Sequence, residues 1–301
     1  MEGPTAAAPI GGTDIRSAML PPPGIYGGTI QAGAATFDFV DGHGNTIPAL
    51  KDAHLSKEVG GPFLYYVPKL EVLGGSIGFG AFVPLGNQCG HPFIDEASRC
   101  TVGMGDPYVE IDWSRFFGKL RPSQFRDAYP IPEGLAVLIG FGAVVPIGTF
   151  DHSDPLNQAL SIGTNIWDFA PSIALTYTTP PILVEGTEIS AKFFWNNYIE
   201  NPATHYWTGD VLNVDFAVSE HIGPLRLGVA GNYAVQTDDD TQSGIPIAPD
   251  GRRGALLQLG GVAGYDMPEY AASLKLKANT TVFAENTVTS WAVVLGWVQK
   301  F

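Results

Sequence analysis

The stretch Val288-Thr-Ser-Trp-Ala-Val-Val-Leu-Gly-Trp-Val-Gln-Lys-Phe301 decides the fold. Counting back from Phe301, every second residue gives Gln299, Trp297, Leu295, Val293 and Trp291, a bulky apolar face with one polar break. A repeat of two is one face of a β-strand. The stretch before it sets Leu274, Leu276 and Ala278 against Ser273, Lys275, Lys277 and Asn279. A soluble sandwich has no use for two lysines and an asparagine in its core. A transmembrane β-barrel with a wet interior does, because it turns apolar residues to lipid and polar ones to the lumen. The fold expected is all-β, a single transmembrane antiparallel barrel.

Composition agrees. Of 301 residues only 15% are charged, against about 25% in ordinary soluble proteins. No stretch approaches the roughly 18 consecutive apolar residues of a membrane helix, and runs such as Ala292–Leu295 and Ala143–Val145 are strand-sized. The 37 glycines and 24 prolines suit many strands joined by turns. A formal charge of -14 argues against nucleic acid as a partner. In the bacterial outer membrane, acidic outer loops would meet lipopolysaccharide phosphates through divalent cations, or simply keep those loops soluble. The start, Met-Glu-Gly-Pro-Thr, has no basic region or apolar core, so the sequence is expected to be a processed form of an exported protein.

About twelve strands are expected, near residues 25–38, 58–67, 73–84, 105–117, 134–147, 167–178, 187–198, 209–219, 225–237, 254–265, 270–283 and 288–301. Several alternate cleanly: Val109, Ile111 and Trp113 oppose Tyr108, Glu110 and Asp112. With Phe301 periplasmic, the outer loops become 39–57, 85–104, 148–166, 199–208 and 238–253, and most periplasmic turns are shorter, as in outer-membrane barrels. Residues 118–133 are the exception, a long periplasmic connection. Residues 1–24 form an amino-terminal segment, periplasmic or tucked into the lumen, and 25–301 form the barrel.

The stretch Ile77-Gly-Phe-Gly-Ala-Phe-Val-Pro-Leu-Gly86 recurs as Ile139-Gly-Phe-Gly-Ala-Val-Val-Pro-Ile-Gly148. Pro84 and Pro146 are expected to end their strands at the outer rim. Together with Leu20-Pro-Pro-Pro-Gly-Ile-Tyr26 and the aromatic carboxy-terminus, the doubled motif resembles the outer-membrane channel family whose genes often accompany the meta-cleavage pathway of phenol degradation. The resemblance covers most of the chain. It implies a monomeric, roughly 12-stranded barrel passing small, often hydrophobic or aromatic compounds. Gln299 departs from the family's usual apolar position, which bears on the strength of the assembly signal.

A channel needs bore and lining charges, not a catalytic group. Alternation turns the basic Lys192, Arg226, Lys275 and Lys277 and the acidic Glu110, Asp112 and Asp215 inward. These groups either favour organic anions such as aromatic acids or pair with one another and stiffen the wall. Gly78, Gly80, Gly140 and Gly142 face the same lumen and, with Phe82 and Phe194, are candidates for a passage wall or for a wall packed against an inserted loop; strand curvature explains the glycines equally well. Trp113, Trp167, Trp195, Trp291, Trp297 and Phe301 read as interfacial girdles. Cys89 and Cys100 match no zinc spacing and are expected to form a disulfide closing a small ring, worth roughly 3 kcal/mol. Asp238-Asp239-Asp240 lacks the spacing that wraps Ca²⁺ and reads as a solvated loop. No metal or cofactor is expected.

The expected function is passive uptake of small organic molecules, hydrophobic or aromatic and including organic acids, through a continuous pore or by lateral exit into lipid. The alternatives are a lipid-directed barrel enzyme, which needs a serine–histidine pair at the outer rim, and a non-conducting adhesive barrel. Other expected partners are membrane lipid, small organic solutes, and the barrel assembly machinery through the last strand ending in Phe301.

Overall fold

Alternation persists from Gly24 to Lys300 and is realised as strands that close on themselves. The computed structural model describes residues 12–91, 98–248 and 251–301. Twelve antiparallel strands form the ring. They are β1 (Gly24–Phe39), β2 (His54–Val67), β3 (Gly75–Phe82 and Leu85–His91), β4 (Arg99–Met104 and Tyr108–Arg121), β5 (Ile131–Val144), β6 (Asp168–Thr178), β7 (Thr187–Tyr198), β8 (Val211–Ile222), β9 (Leu225–Gln236), β10 (Ala255–Met267), β11 (Ala272–Glu285) and β12 (Val288–Lys300). Each strand pairs with its sequence neighbours, and β12 returns to β1 from Tyr26↔Lys300 to Phe39↔Val288. Closure satisfies backbone amides that would find no water in hydrocarbon.

Alternation sorts side chains by solvent as expected. Leu276 is 48% exposed on the outside while its neighbour Lys277 is 1% exposed within. Ile111, Phe141, Ile173, Trp195 and Val229 likewise stand on the outer face.

Three expectations need correction. Residues 85–104 were expected as one outer loop, yet most of them continue β3 and β4 beyond the rim as a hairpin. Cys89 pairs across it with Cys100 in a disulfide; the tip, 92–97, lies outside the described residues. Pro84 therefore interrupts its strand instead of ending it, whereas Pro146 lies two residues past the end of β5. The long periplasmic connection at 118–133 also shrinks, because β4 runs to Arg121 and β5 begins at Ile131. Ion pairs of Lys119 and Arg121 with Glu133 support that extension.

The interruption of β3 depends on glycine. Val83 N donates to the Pro62 carbonyl at 3.1 Å, and a Cβ on Gly61 would fall 1.9 Å from the Val83 carbonyl oxygen. Backbone cannot yield as a side-chain tip can. Gly61→Ala is expected to cost more than about 2 kcal/mol and to lower the denaturant midpoint of the barrel band in heat-modifiability gels. An unchanged midpoint would show that the ladder breaks there without help from glycine.

Both ends of the barrel are partly filled. At the outer end the 148–166 connection folds inward, with Leu156, Leu160, Ile162 and Ile166 buried. It carries a short helix α1 (Pro155–Ala159), capped by the Asp154 carboxylate accepting from Leu156 N and Asn157 N. A small sheet of Tyr206–Trp207, Thr241–Gln242 and Ile245–Pro246 joins two further outer loops. Asp240 is not a solvated loop residue. It is fully buried there, accepting from Tyr206 Oη, Gln236 Nε2 and Gly209 N. Burial raises its carboxyl above the ordinary range. At the periplasmic end residues 12–20 cross the lumen.

Candidate functional site

The lumen is built by the inward members of each alternating pair. On β4, Glu110 and Asp112 face Lys192 of β7, whose Nζ lies 3.4 Å from Glu110 Oε2 and 3.9 Å from Asp112 Oδ1. Tyr65 Oη donates to Asp112 Oδ2 at 2.7 Å and Tyr108 Oη to Glu110 Oε2 at 3.2 Å. The Lys192 ammonium also stands 4.9 Å from the centre of the Phe194 ring. This is a knot of ion pairs and phenols on one wall.

Arg226, Lys275 and Lys277 take different partners from those alternation suggested. Arg226 Nη2 donates to Asp266 Oδ1 at 3.0 Å. Lys275 and Lys277 both donate to Asp14, each at 3.1 Å, and Asp14 is fully buried. Asp215 accepts from Thr13 N and Oγ1.

These contacts define how the amino-terminal segment is held. Arg16 pairs with Glu188 and Asp266 at 3.7 and 3.4 Å, and its amide donates to Glu188 Oε1 at 2.8 Å. His221 Nε2 lies 3.2 Å from Glu188 Oε2. Ser17 bonds Ser190, Ala18 N donates to Thr176 Oγ1, and Ser114 Oγ donates to the Ala18 carbonyl. Ala18 packs on Ala136, Leu138 and Ala174, while Ile15 packs on Ala217, Ala230 and Val262. The segment thus bridges β4–β6 and β8–β10 across the bore. Residues 1–11 lie outside the described residues.

A different wall is apolar. The strands β12, β1 and β2 turn Ala292 and Val294, Ile30 and Ala32, and Val59 and Phe63 inward in register. In a ring of twelve, β1 lies opposite β7, so this arc faces the Lys192 wall. At mid-height an apolar arc thus faces a charged wall, with Lys57 and Tyr65 of β2 bounding the arc toward the outer and periplasmic ends.

With that geometry in place, comparison with known proteins is informative. A family model described as "Putative MetA-pathway of phenol degradation" matches residues 36–296. The chain belongs to this family. No curated protein matches it in sequence. An outer-membrane channel from Pseudomonas putida F1 superposes with a TM-score of 0.75 at 16% identity, covering 96% of this chain and 99% of that one, a likeness of fold. More distant are the β domain of the Bordetella autotransporter BrkA (TM-score 0.46, 10% identity, 91% and 99% covered) and the NalP translocator domain of Neisseria meningitidis (0.47, 8%, 94% and 91%). The protein is an outer-membrane β-barrel of the phenol-degradation family.

In this family member the repeated glycines do face the lumen, but other side chains occupy their space. A Cβ on Gly78 would lie 2.4 Å from Tyr65 Oη, one on Gly80 2.8 Å from Glu110 Cγ, one on Gly140 2.2 Å from Asp112 Oδ1 and one on Gly142 2.1 Å from Tyr108 Oη. The glycines make room for the knot of phenols and carboxylates. Phe82 pairs with Phe63 near the apolar arc, and Phe194 is buried against Ala170. Strand parity could have found Glu188 and Asp266, which stand in phase with inward neighbours. The partners Asp14 and Arg16 had no such signal, since they lie outside any strand.

Proposed function

We propose that the protein is a passive outer-membrane channel for small organic molecules, hydrophobic or aromatic, including their carboxylates. The observation that carries this is the two-sided bore. A ring or alkyl body travels on the apolar arc of Ile30, Val59, Phe63 and Val294, while a polar head meets the opposite wall. The segment 12–20 narrows the periplasmic end, so passage requires it to shift. Planar-bilayer conductance of the detergent-folded protein tests the reading. Steady unitary currents with a measurable reversal potential in a salt gradient are expected. A folded protein that never conducts, even with residues 1–20 removed, would overturn it.

One observation favours lateral exit as a second reading. The ladder breaks at Val83–Pro84 in β3 and at Gly105–Pro107 in β4, beside Pro146 after β5. The outer part of β4 is bonded on its far side by Thr149 N to the Met104 carbonyl. Isolated bonds such as Gly105 N to the Pro84 carbonyl at 2.8 Å and Val145 N to the Pro107 carbonyl at 2.9 Å bridge the interruption in place of a continuous ladder, and it is there that an apolar solute would slip into lipid. The lipid-hydrolase alternative finds one serine–histidine contact among the described residues, Ser98 Oγ to His91 Nδ1 at 3.3 Å. It is exposed, and no described carboxylate orients the ring, so the contact does not make a triad.

A further inference from the structure

The inward cations named so far each have an acid within 4 Å. Lys57 on β2 does not. It faces the lumen in register with Gln88 of β3 and Ala34 of β1, it is exposed, and among the described residues its ammonium has neither an ion pair nor a hydrogen bond. The acid acting on it, Asp106, is committed elsewhere: its carboxylate accepts from Gly148 N, Thr164 N and Thr164 Oγ1 at 2.8, 2.6 and 2.8 Å. A lumenal cation with no acid partner, in a lumen of matched pairs, is open to an anion from outside.

The surroundings give that anion a shape. Lys57 lines a cavity of about 110 Å³ beneath α1, with Gln88, Ser161 and Thr164 on the polar side and Phe150 and Ile166 on the apolar side. Gln88 is itself buried and fixed, its Nε2 donating to the Ala159 carbonyl at 2.9 Å. Above lies an outer bowl of about 570 Å³ under Ile245, Pro246 and Ile247. The two spaces share Gln158 and Tyr206 as their common wall. The inner cavity is smaller than the roughly 150 Å³ that takes a benzene ring. It therefore admits a carboxylate and the first carbons, with the rest of the solute toward the bowl.

We propose that this pocket is a receiving site for small monocarboxylates, with Lys57 as the anion receptor and Gln158 and Tyr206 as the threshold. The site deepens the channel reading and rests on it for the direction of travel. From the sequence Lys57 closes the 39–57 outer loop; in the structure β2 begins at His54 and carries it, and the inward fold of the 148–166 loop completes the pocket.

The test is equilibrium dialysis of labelled benzoate against the detergent-folded full chain, paired with bilayer currents. Lys57→Met is expected to weaken benzoate binding by about ten-fold, Lys57→Arg to retain it, and neutral benzyl alcohol to bind both proteins alike. In bilayers, benzoate added from the loop side should interrupt wild-type currents more than those of Lys57→Met. Equal benzoate binding by wild type and Lys57→Met overturns the site. Equal loss in Lys57→Arg and Lys57→Met, with unaltered heat-modifiable mobility, overturns it as well, by showing a structural role. If Lys57→Met does not fold, Lys57→Gln is read in the same way. Because dialysis needs no conduction, a protein that binds through Lys57 but stays silent in bilayers even with residues 1–20 removed upholds the site and overturns the channel.

Discussion

Asp14→Asn is expected to raise single-channel conductance about three-fold and to move the reversal potential toward anions. Asp14 is the shared acceptor of Lys275 and Lys277, and Lys277 is 1% exposed. Removing one member of a buried charge cluster leaves the other uncompensated, at a cost of roughly 3–5 kcal/mol. One strand, β11, holds both lysines in the wall and is itself paired with β10 and β12, whereas a stretch of irregular backbone holds Asp14. The segment should therefore be what moves, opening the periplasmic half of the bore and unmasking two positive charges. Arg16 still binds Glu188 and Asp266, so the double change Asp14→Asn with Arg16→Gln should open further. If the double variant folds with normal heat-modifiable mobility and conducts as wild type, the segment does not limit passage.

The second large effect concerns Lys192, the one basic member of the mid-lumen knot. Lys192→Met would leave Glu110 and Asp112 side by side without a cation, held only by the Tyr108 and Tyr65 hydroxyls. The expected result is a reversal potential displaced toward cations in a potassium chloride gradient, with stability lower by about 3 kcal/mol. Lys192→Arg keeps the charge and should hold the wild-type selectivity. A shift of equal size in both variants would trace the effect to packing against Phe194, not to charge.

Much of the wall was legible because a barrel writes its two solvents into alternate positions. Lys192, Arg226, Lys275 and Lys277 fall inward for the same reason that Leu274 and Leu276 fall outward. Strand ends were harder. Leu85–His91 and Arg99–Met104 contain Gly86, Gly90 and Gly103 and continue past the lipid, where no apolar face marks them. The partners of the lumen charges were harder still. Asp14 meets Lys277 across 263 positions, a contact fixed by the route of an irregular segment that leaves no periodic trace. The apolar arc was missed because Ala32, Ala34 and Ala292 are small on both counts, too weakly apolar to mark a face and too weakly polar to mark a lumen.

The seam between the first and last strands also dictates an order of events. Tyr26 is matched to Lys300, and Phe301 N donates to the Ile25 carbonyl at 2.9 Å. The hoop cannot be fastened until the last residues exist, and it fastens around whatever already lies within it. Residues 12–23 must be in place at that moment or thread in afterwards from the side where Gly24 anchors them. In the proposed channel they act as a stopper on a leash tied to the periplasmic rim. Fully drawn out, twelve residues reach about 40 Å, so a dislodged stopper can hang clear of the bore and still find its way back.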